Sequence, residues 1–164
     1  MELRNTHRFQ HALADIEDAM TDVAFYEQLD LPDVTKPEVL GREQNGRAVT
    51  IRLRYVFDGH LDPIVNTVLG NQEIAWAQTL VFDTAAHRGT LTIEPSVLAD
   101  KVHCAADITL AAADDGCTRA LAGQFAVRIP LLGGKAEGAI GPGIQRRLDI
   151  EANALADWVT KLGG

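Results

Sequence analysis

The segment 129–143 contains the residue types that could hold a phosphate group. Its two glycines run directly into Lys135. A Walker-type loop needs a glycine five positions before the last of these glycines, and a serine or threonine after the lysine to hold magnesium. Ile129 and Ala136 stand at those two positions. The sequence therefore predicts that Gly133-Gly134 allows a sharp turn from a strand into a helix.

Serine, cysteine and histidine side chains show no pattern of nucleophilic or metal chemistry. Ser96 is the only serine and lacks the flanking glycines of a nucleophile elbow. Cys104 follows His103 in a predicted strand, where successive side chains point to opposite faces. The five histidines lack the short spacings typical of zinc sites. We expect no catalytic residue, no metal and no cofactor.

His60, between Asp58 and Asp62, is the one cluster that could move a proton. A histidine held by a carboxylate can act as a general base. The alternative, which the sequence favours, is a turn in which Asp62 caps a short helix at Pro63 and His60 is solvated.

Tyr55, Trp76 and Gln78 could orient a ligand. Such polar groups in an apolar interior are how small-molecule sites fix their ligands. Buried tyrosine and tryptophan often bond only to the backbone, however. A pocket and a packed core both remain open for these residues.

Hydrophobic periodicity predicts the elements that position these side chains. A period of two indicates seven strands, and a period near 3.6 indicates helices. The predicted strands are 3–11, 39–44, 47–57, 73–82, 88–94, 102–112 and 118–129, with two short helices between Asp15, as N-cap, and Leu29, one over 63–69, and a long one from 134 to 162.

Two hairpin turns fix the predicted strand pairing. Asn45-Gly46 suits a type I′ turn. A second turn centred on Asp115-Gly116 places Cys104 opposite Val127, so that Cys104 and Cys117 lie too far apart to form a disulfide.

The C-terminal helix is amphipathic. Its apolar face includes Ile140, Ile144 and Leu148, and charged residues such as Glu151 fill the other face. Gly141-Pro142-Gly143 interrupts the apolar stripe. We favour a kink that fits the helix to the sheet, and the alternative is a weak point that opens for a ligand.

Length and charge narrow the function classes. The 164 residues, 46% of them hydrophobic, predict one domain over 1–164 with a sizeable core. A net charge of −8 without a basic stripe excludes nucleic-acid binding. No apolar run reaches 18 residues, and the N-terminal segment has no signal-peptide pattern. We therefore expect a cytoplasmic protein without stable membrane insertion, as a monomer or homodimer.

Several motifs carry a family resemblance. The element order, FYEQL and IPLLGGKAEGAI resemble the START-like superfamily, also called SRPBCC or helix-grip. LPDVTKPEVLGREQNG, YVFDGHLDP, HRGT and VRIPLLGGKAE are similar to a family known only as domain of unknown function 2505. The resemblance implies an α+β fold in which a curved seven-stranded antiparallel sheet wraps around a long C-terminal helix, with two short helices after the first strand.

The resemblance also implies a cavity between sheet and helix, in which superfamily members often hold lipids, sterols, isoprenoids or polyketides. We expect binding, carriage or sensing of such an apolar small molecule. The alternatives are an enzyme of the cyclase/aromatase type and a ligand-free protein-interaction module. The expected cavity lining is Phe25, Tyr55, Phe57, Trp76, Gln78, Leu80, Cys104, Phe125, Ile140, Ile144 and Leu148.

Overall fold

The fold of the residues that the structure describes is α+β, with seven strands in one antiparallel sheet and four helices. A computed structural model describes residues 1–163, and Gly164 lies outside the described residues. The strands are β1 (Glu2–Phe9), β2 (Glu38–Asn45), β3 (Ala48–Val56), β4 (Ala75–Asp83), β5 (Arg88–Pro95), β6 (Val102–Ala113) and β7 (Gly116–Val127). The helices are α1 (Leu13–Met20), α2 (Val23–Gln28), α3 (Pro63–Leu69) and α4 (Gly133–Gly163).

The strand order is β1-β7-β6-β5-β4-β3-β2, and every pairing is antiparallel. Strands β2 to β7 form a meander, and β1 closes the other edge by pairing with β7. Helices α1 and α2 connect β1 to the far edge of the sheet. The sheet curves around α4, which packs on its concave face. The predicted helix-grip architecture is confirmed.

Strand β3 shows why the sheet has one buried face. Val49, Ile51, Leu53 and Tyr55 are each 1–2% exposed, whereas Arg52 between them is exposed. Alternation with a period of two places all four apolar side chains toward α4.

Both hairpin turns lie one residue away from their predicted centres. Asn45 pairs with Ala48, so Gly46 and Arg47 form the first loop. Gly46 has a φ of 63°, as the first loop position of a type II′ turn requires. The expected type I′ turn at Asn45-Gly46 was therefore wrong.

In the second hairpin Ala113 pairs with Gly116, which places the turn at Asp114 and Asp115. Cys104 consequently lies opposite Phe125 and not opposite Val127. A register shift of two residues keeps each side chain on its predicted face. Both cysteines are free, as predicted.

Helices α2 and α3 begin at side-chain caps, whereas α1 does not. Asp62 caps α3 as predicted, because its carboxylate accepts a hydrogen bond of 2.9 Å from the backbone N–H of Ile64. Asp22 caps α2 in the same way, at 2.9 Å from the N–H of Ala24. Helix α1 begins before Asp15, with Ala12 at the N-cap and no side-chain cap. The predicted N-cap at Asp15 was therefore wrong, and its carboxylate lies in the first turn.

The strand-to-helix connection before α4 explains why position 133 requires glycine. A Cβ atom there would collide with the backbone carbonyl oxygen of Val127, so only glycine fits. The left-handed backbone conformation falls on Leu131, which has a φ of 68°. Beyond this connection α4 continues through Pro142.

Candidate functional site

A cavity of about 350 Å³ lies between the sheet and the first half of α4. Side chains from β1 and from β3 to β7 form its sheet side, and α3 closes part of its rim. The lining is mostly aliphatic and aromatic. The exposed lining residues Asp33, His60 and Asp62 mark where the cavity meets solvent.

The structure places most of the expected lining residues around this cavity. Those that line it are Tyr55, Phe57, Trp76, Gln78, Cys104, Phe125, Ile140, Ile144 and Leu148. They come from separate strands and from one face of α4.

Phe25 and Leu80 do not line the cavity, which corrects the expectation for both. Phe25 is fully buried, with its ring packed edge-on against Tyr26 and Trp158 at centroid distances of 5.0 and 6.1 Å. Leu80 lies on the same face of β4 as Trp76 and Gln78, but farther along the strand. Core side chains already fill the space there.

Two charged lining residues on α4 were not anticipated. Arg147 and Glu151 both line the cavity, although Glu151 was expected on the solvent face of the helix. Arg147 follows Ile144 by three positions, and Glu151 follows Leu148 by three positions, so each lies close in helical angle to an apolar residue of the lining. That spacing was the available signal.

Three aromatic and cationic groups stack at one place in the lining. The Tyr55 and Trp76 rings are stacked, with centroids 5.7 Å apart and an interplanar angle of 22°. The guanidinium carbon of Arg147 lies over the Trp76 ring, 5.9 Å from its centroid. A cation over an indole face is attracted by the ring quadrupole.

The Tyr55 hydroxyl is buried and forms no hydrogen bond within residues 1–163. Burial is the main reason that the pKa of Tyr55 is raised well above its usual value, and the charge of Glu151 adds to this effect. The hydroxyl therefore keeps its proton and remains able to donate.

The Arg147 guanidinium also lacks a bonded partner within the described part of the chain, since none of the hydrogen bonds or ion pairs found there involves it. Burial lowers the pKa of Arg147, and the nearby Asp33 carboxylate opposes that shift. An arginine side chain remains charged despite such a shift. The cavity wall thus contains a positive charge that no carboxylate contacts.

Glu151, in contrast, is already paired. Arg119 is 1% exposed and donates from Nη1 to Glu151 Oε1 at 2.9 Å. Its Nη2 lies 3.4 Å from both His7 Nδ1 and the Leu148 carbonyl oxygen. His7 Nε2 in turn lies 2.8 Å from Asp149 Oδ1. This network neutralises the carboxylate of Glu151 from behind the cavity wall.

His60 is exposed, and neither Asp58 nor Asp62 bonds to its ring in the part of the chain that the structure describes. The turn interpretation therefore describes the arrangement better than the general-base interpretation. Burial raises the pKa of the Cys104 thiol to about 11, so this side chain remains neutral in the cavity wall.

Residues 1–163 contain neither a metal-binding cluster nor a membrane-spanning helix. No group of three or more histidine, cysteine, aspartate or glutamate side chains is placed to hold a metal ion there. No helix in that range combines the length and the apolar character needed to cross a bilayer.

A sheet curved around a long C-terminal helix, with an apolar cavity between them, defines the helix-grip or START-like class. Within this class the chain belongs to the family described as protein of unknown function DUF2505, whose model matches residues 4–159. The resemblance found in the sequence is thereby confirmed. No curated protein matches the chain.

Solved structures share this fold at low sequence identity. The protein TTHA0849 from Thermus thermophilus is 16% identical, with a TM-score of 0.72 and coverage of 100% of both chains. The Zhui aromatase/cyclase from a Streptomyces species is 16% identical, with a TM-score of 0.68 over 98% of this chain and 94% of the other. Norcoclaurine synthase from Thalictrum flavum is 15% identical, with a TM-score of 0.65 over 98% and 86%. These likenesses establish the fold alone.

Proposed function

We propose that the protein is a single-domain carrier or sensor that binds an apolar small molecule between the sheet and α4. The observation that carries this proposal is the unfilled space of about 350 Å³ among apolar side chains. Protein interiors are close-packed and rarely contain voids larger than one water molecule. The volume falls in the range of roughly 300–1,000 Å³ that is typical of small-molecule sites.

A second candidate function is an enzyme acting on such a molecule. Two of the similar structures are named as an aromatase/cyclase and a synthase. An enzyme of this kind needs an acid and a base that converge on the ligand. Glu151 is the one carboxylate of the lining that is largely buried, and it is held by Arg119. This arrangement favours binding over catalysis.

A ligand that fills the cavity should raise the thermal midpoint of unfolding. At a hundred times its dissociation constant, a ligand adds about 2.7 kcal/mol to the free energy of unfolding. For a domain of this size we expect a midpoint increase of about 5–10 °C. The measurement is a thermal-shift screen of fatty acids, sterols, isoprenoids and aromatic polyketides.

Tryptophan fluorescence provides the site-specific readout for the same compounds. The chain has two tryptophans, of which Trp76 lines the cavity and Trp158 packs against the core. In Trp158→Phe the emission comes from Trp76 alone and should change on binding. In the control Trp76→Phe, the emission of Trp158 should stay unchanged.

Filling the cavity with a side chain tests whether the space exists. Ile144→Trp should change the free energy of unfolding little and should abolish the ligand-induced midpoint shift. The matched control is Leu155→Trp on the same helix, where the side chain is fully buried and overpacking costs about 1–3 kcal/mol or more. If Ile144→Trp is equally destabilising and no compound shifts the midpoint, the interior is solid. The protein-interaction module then becomes the better explanation.

A further inference from the structure

We propose that the cavity selects apolar molecules that carry one carboxylate group, which is bound by Arg147 and Tyr55. This inference rests on the proposed binding function and specifies the chemistry of the ligand. The apolar walls hold the body of the molecule, and the two donors hold its acidic end.

The first step is that the Tyr55 hydroxyl needs an acceptor. Tyr55 is 2% exposed and lines the cavity, and its hydroxyl has no hydrogen-bond partner within residues 1–163. The chain has two tyrosines, and the hydroxyl of the other, Tyr26, donates to the Met20 carbonyl oxygen at 2.6 Å. Five buried side-chain atoms lack a partner among the described residues, and Tyr55 is the only one of those five residues that lines the cavity. Because buried polar groups are nearly always hydrogen-bonded, its hydroxyl is available to a molecule bound there.

The second step is that Arg147 carries a charge that no ion pair among residues 1–163 compensates. Its guanidinium lies in the cavity lining over Trp76, which fixes its position. Asp33 affects the pKa of Arg147 but is itself exposed and forms no ion pair with it. Arg147 is half-buried, and an anion bound in the cavity would form a charge-assisted hydrogen bond with its guanidinium.

The third step is the choice among ligand groups. The Tyr55 hydroxyl can donate or accept, whereas Arg147 offers donors only and carries a positive charge, so a protonated amine would be repelled by Arg147. An alcohol could accept from Tyr55 but would leave the charge of Arg147 uncompensated. A carboxylate has two acceptor oxygens and one negative charge, and therefore satisfies both residues. Glu151 does not repel it strongly, because Arg119 neutralises Glu151.

The test uses three probes of equal chain length and one reporter. N-Phenylnaphthylamine is neutral and becomes fluorescent in apolar sites, and its displacement reports the affinity of decanoate, decanol and decylamine. One hydrogen bond to a charged group changes an affinity by about ten-fold or more. We therefore expect decanoate to bind about ten-fold or more tightly than decanol, and decylamine to bind most weakly.

Variants assign this preference to the two residues. Arg147→Met keeps the aliphatic packing on Trp76 and should lower decanoate affinity about ten-fold, while decanol and the reporter bind as before. Tyr55→Phe should weaken decanoate binding by a smaller factor. The matched control is Arg146→Met, which removes the same charge from the exposed neighbouring position and should leave decanoate binding unchanged.

The outcomes separate this inference from the proposed function. If neither the reporter nor any probe binds, the binding function itself fails. If decanoate and decanol bind equally, or if Arg146→Met and Arg147→Met have the same effect, apolar binding stands and the carboxylate preference is wrong. If Arg147→Met does not fold, a comparison of the variants Arg147→Lys and Arg147→Gln replaces it. Only the lysine variant, which keeps the charge, should then retain a preference for the acid.

Discussion

Replacing Arg119 with methionine should lower the free energy of unfolding by about 3–5 kcal/mol. Arg119 is charged, yet it lies on the inward face of β7 and is among the largest fully buried side chains. Its guanidinium is paired with Glu151 at 2.9 Å. Removing one partner of a buried ion pair leaves the other charge without compensation, and this unpaired charge accounts for most of the loss. Urea unfolding followed by circular dichroism gives the measurement.

The double variant Arg119→Met/Glu151→Leu distinguishes the unpaired charge from lost packing. We expect it to recover most of the stability, because removing both charges together leaves no uncompensated group. The control is Arg8→Met, which breaks the exposed pair with Asp115 and should have little effect. An equally small effect of Arg119→Met would show that water already solvates Glu151 through the cavity. A double variant as unstable as the single one would show that lost packing, and not the unpaired charge, causes the loss of stability.

Pro142→Ala should raise the free energy of unfolding by up to about 3 kcal/mol, the cost of proline relative to alanine inside a helix. Pro142 lies within α4 and is exposed. It has no N–H to donate to the carbonyl of Gly138 one turn earlier, and its ring crowds that carbonyl. Alanine restores the hydrogen bond and removes the crowding. The gain should appear in the urea midpoint at an unchanged dependence on denaturant.

Gly138→Ala is the control for general helix propensity. A Cβ atom at Gly138 meets nothing within 4 Å, so alanine should add about 1 kcal/mol through propensity alone. A gain at Pro142→Ala no larger than this would mean that the backbone at this position already accommodates proline without losing helical hydrogen bonding.

The strands and the two hairpins were predictable because local patterns determine them. The alternation in β3, the glycine in the first hairpin and the Asp62-Pro63 helix start each depend on residues that are adjacent in sequence. The turn centres were off by one residue each, since Asn-Gly and Asp-Gly pairs can occupy more than one position of a short loop. The register of each hairpin differs from the prediction by two residues, so each side chain still lies on its predicted face.

The cavity was harder to predict than the face that lines it. Gln78 and Leu80 point the same way from β4, and only the distance between sheet and helix decides that one borders empty space while the other is packed. That distance depends on how α1, α2 and the second half of α4 fill the concave face together. The spacing of apolar residues along the sequence carries no information about that distance. Arg119 was missed for a different reason: a charged residue at an inward position of a strand contradicts the pattern, and only its partner on α4 explains it.

The unequal composition of α4 has a kinetic consequence. Five of its first eleven residues are glycine and one is proline, and the residues buried in this part are glycine and alanine only. The second half buries Leu155 and Val159 against the core. Helical segments with few buried apolar contacts open at a lower free energy than the core does. The amides of one continuous helix should therefore exchange with solvent in two classes, and the faster class covers the cavity. Residence time of a bound molecule would then be set by the unwinding of this glycine-rich half rather than by the affinity of the pocket walls alone.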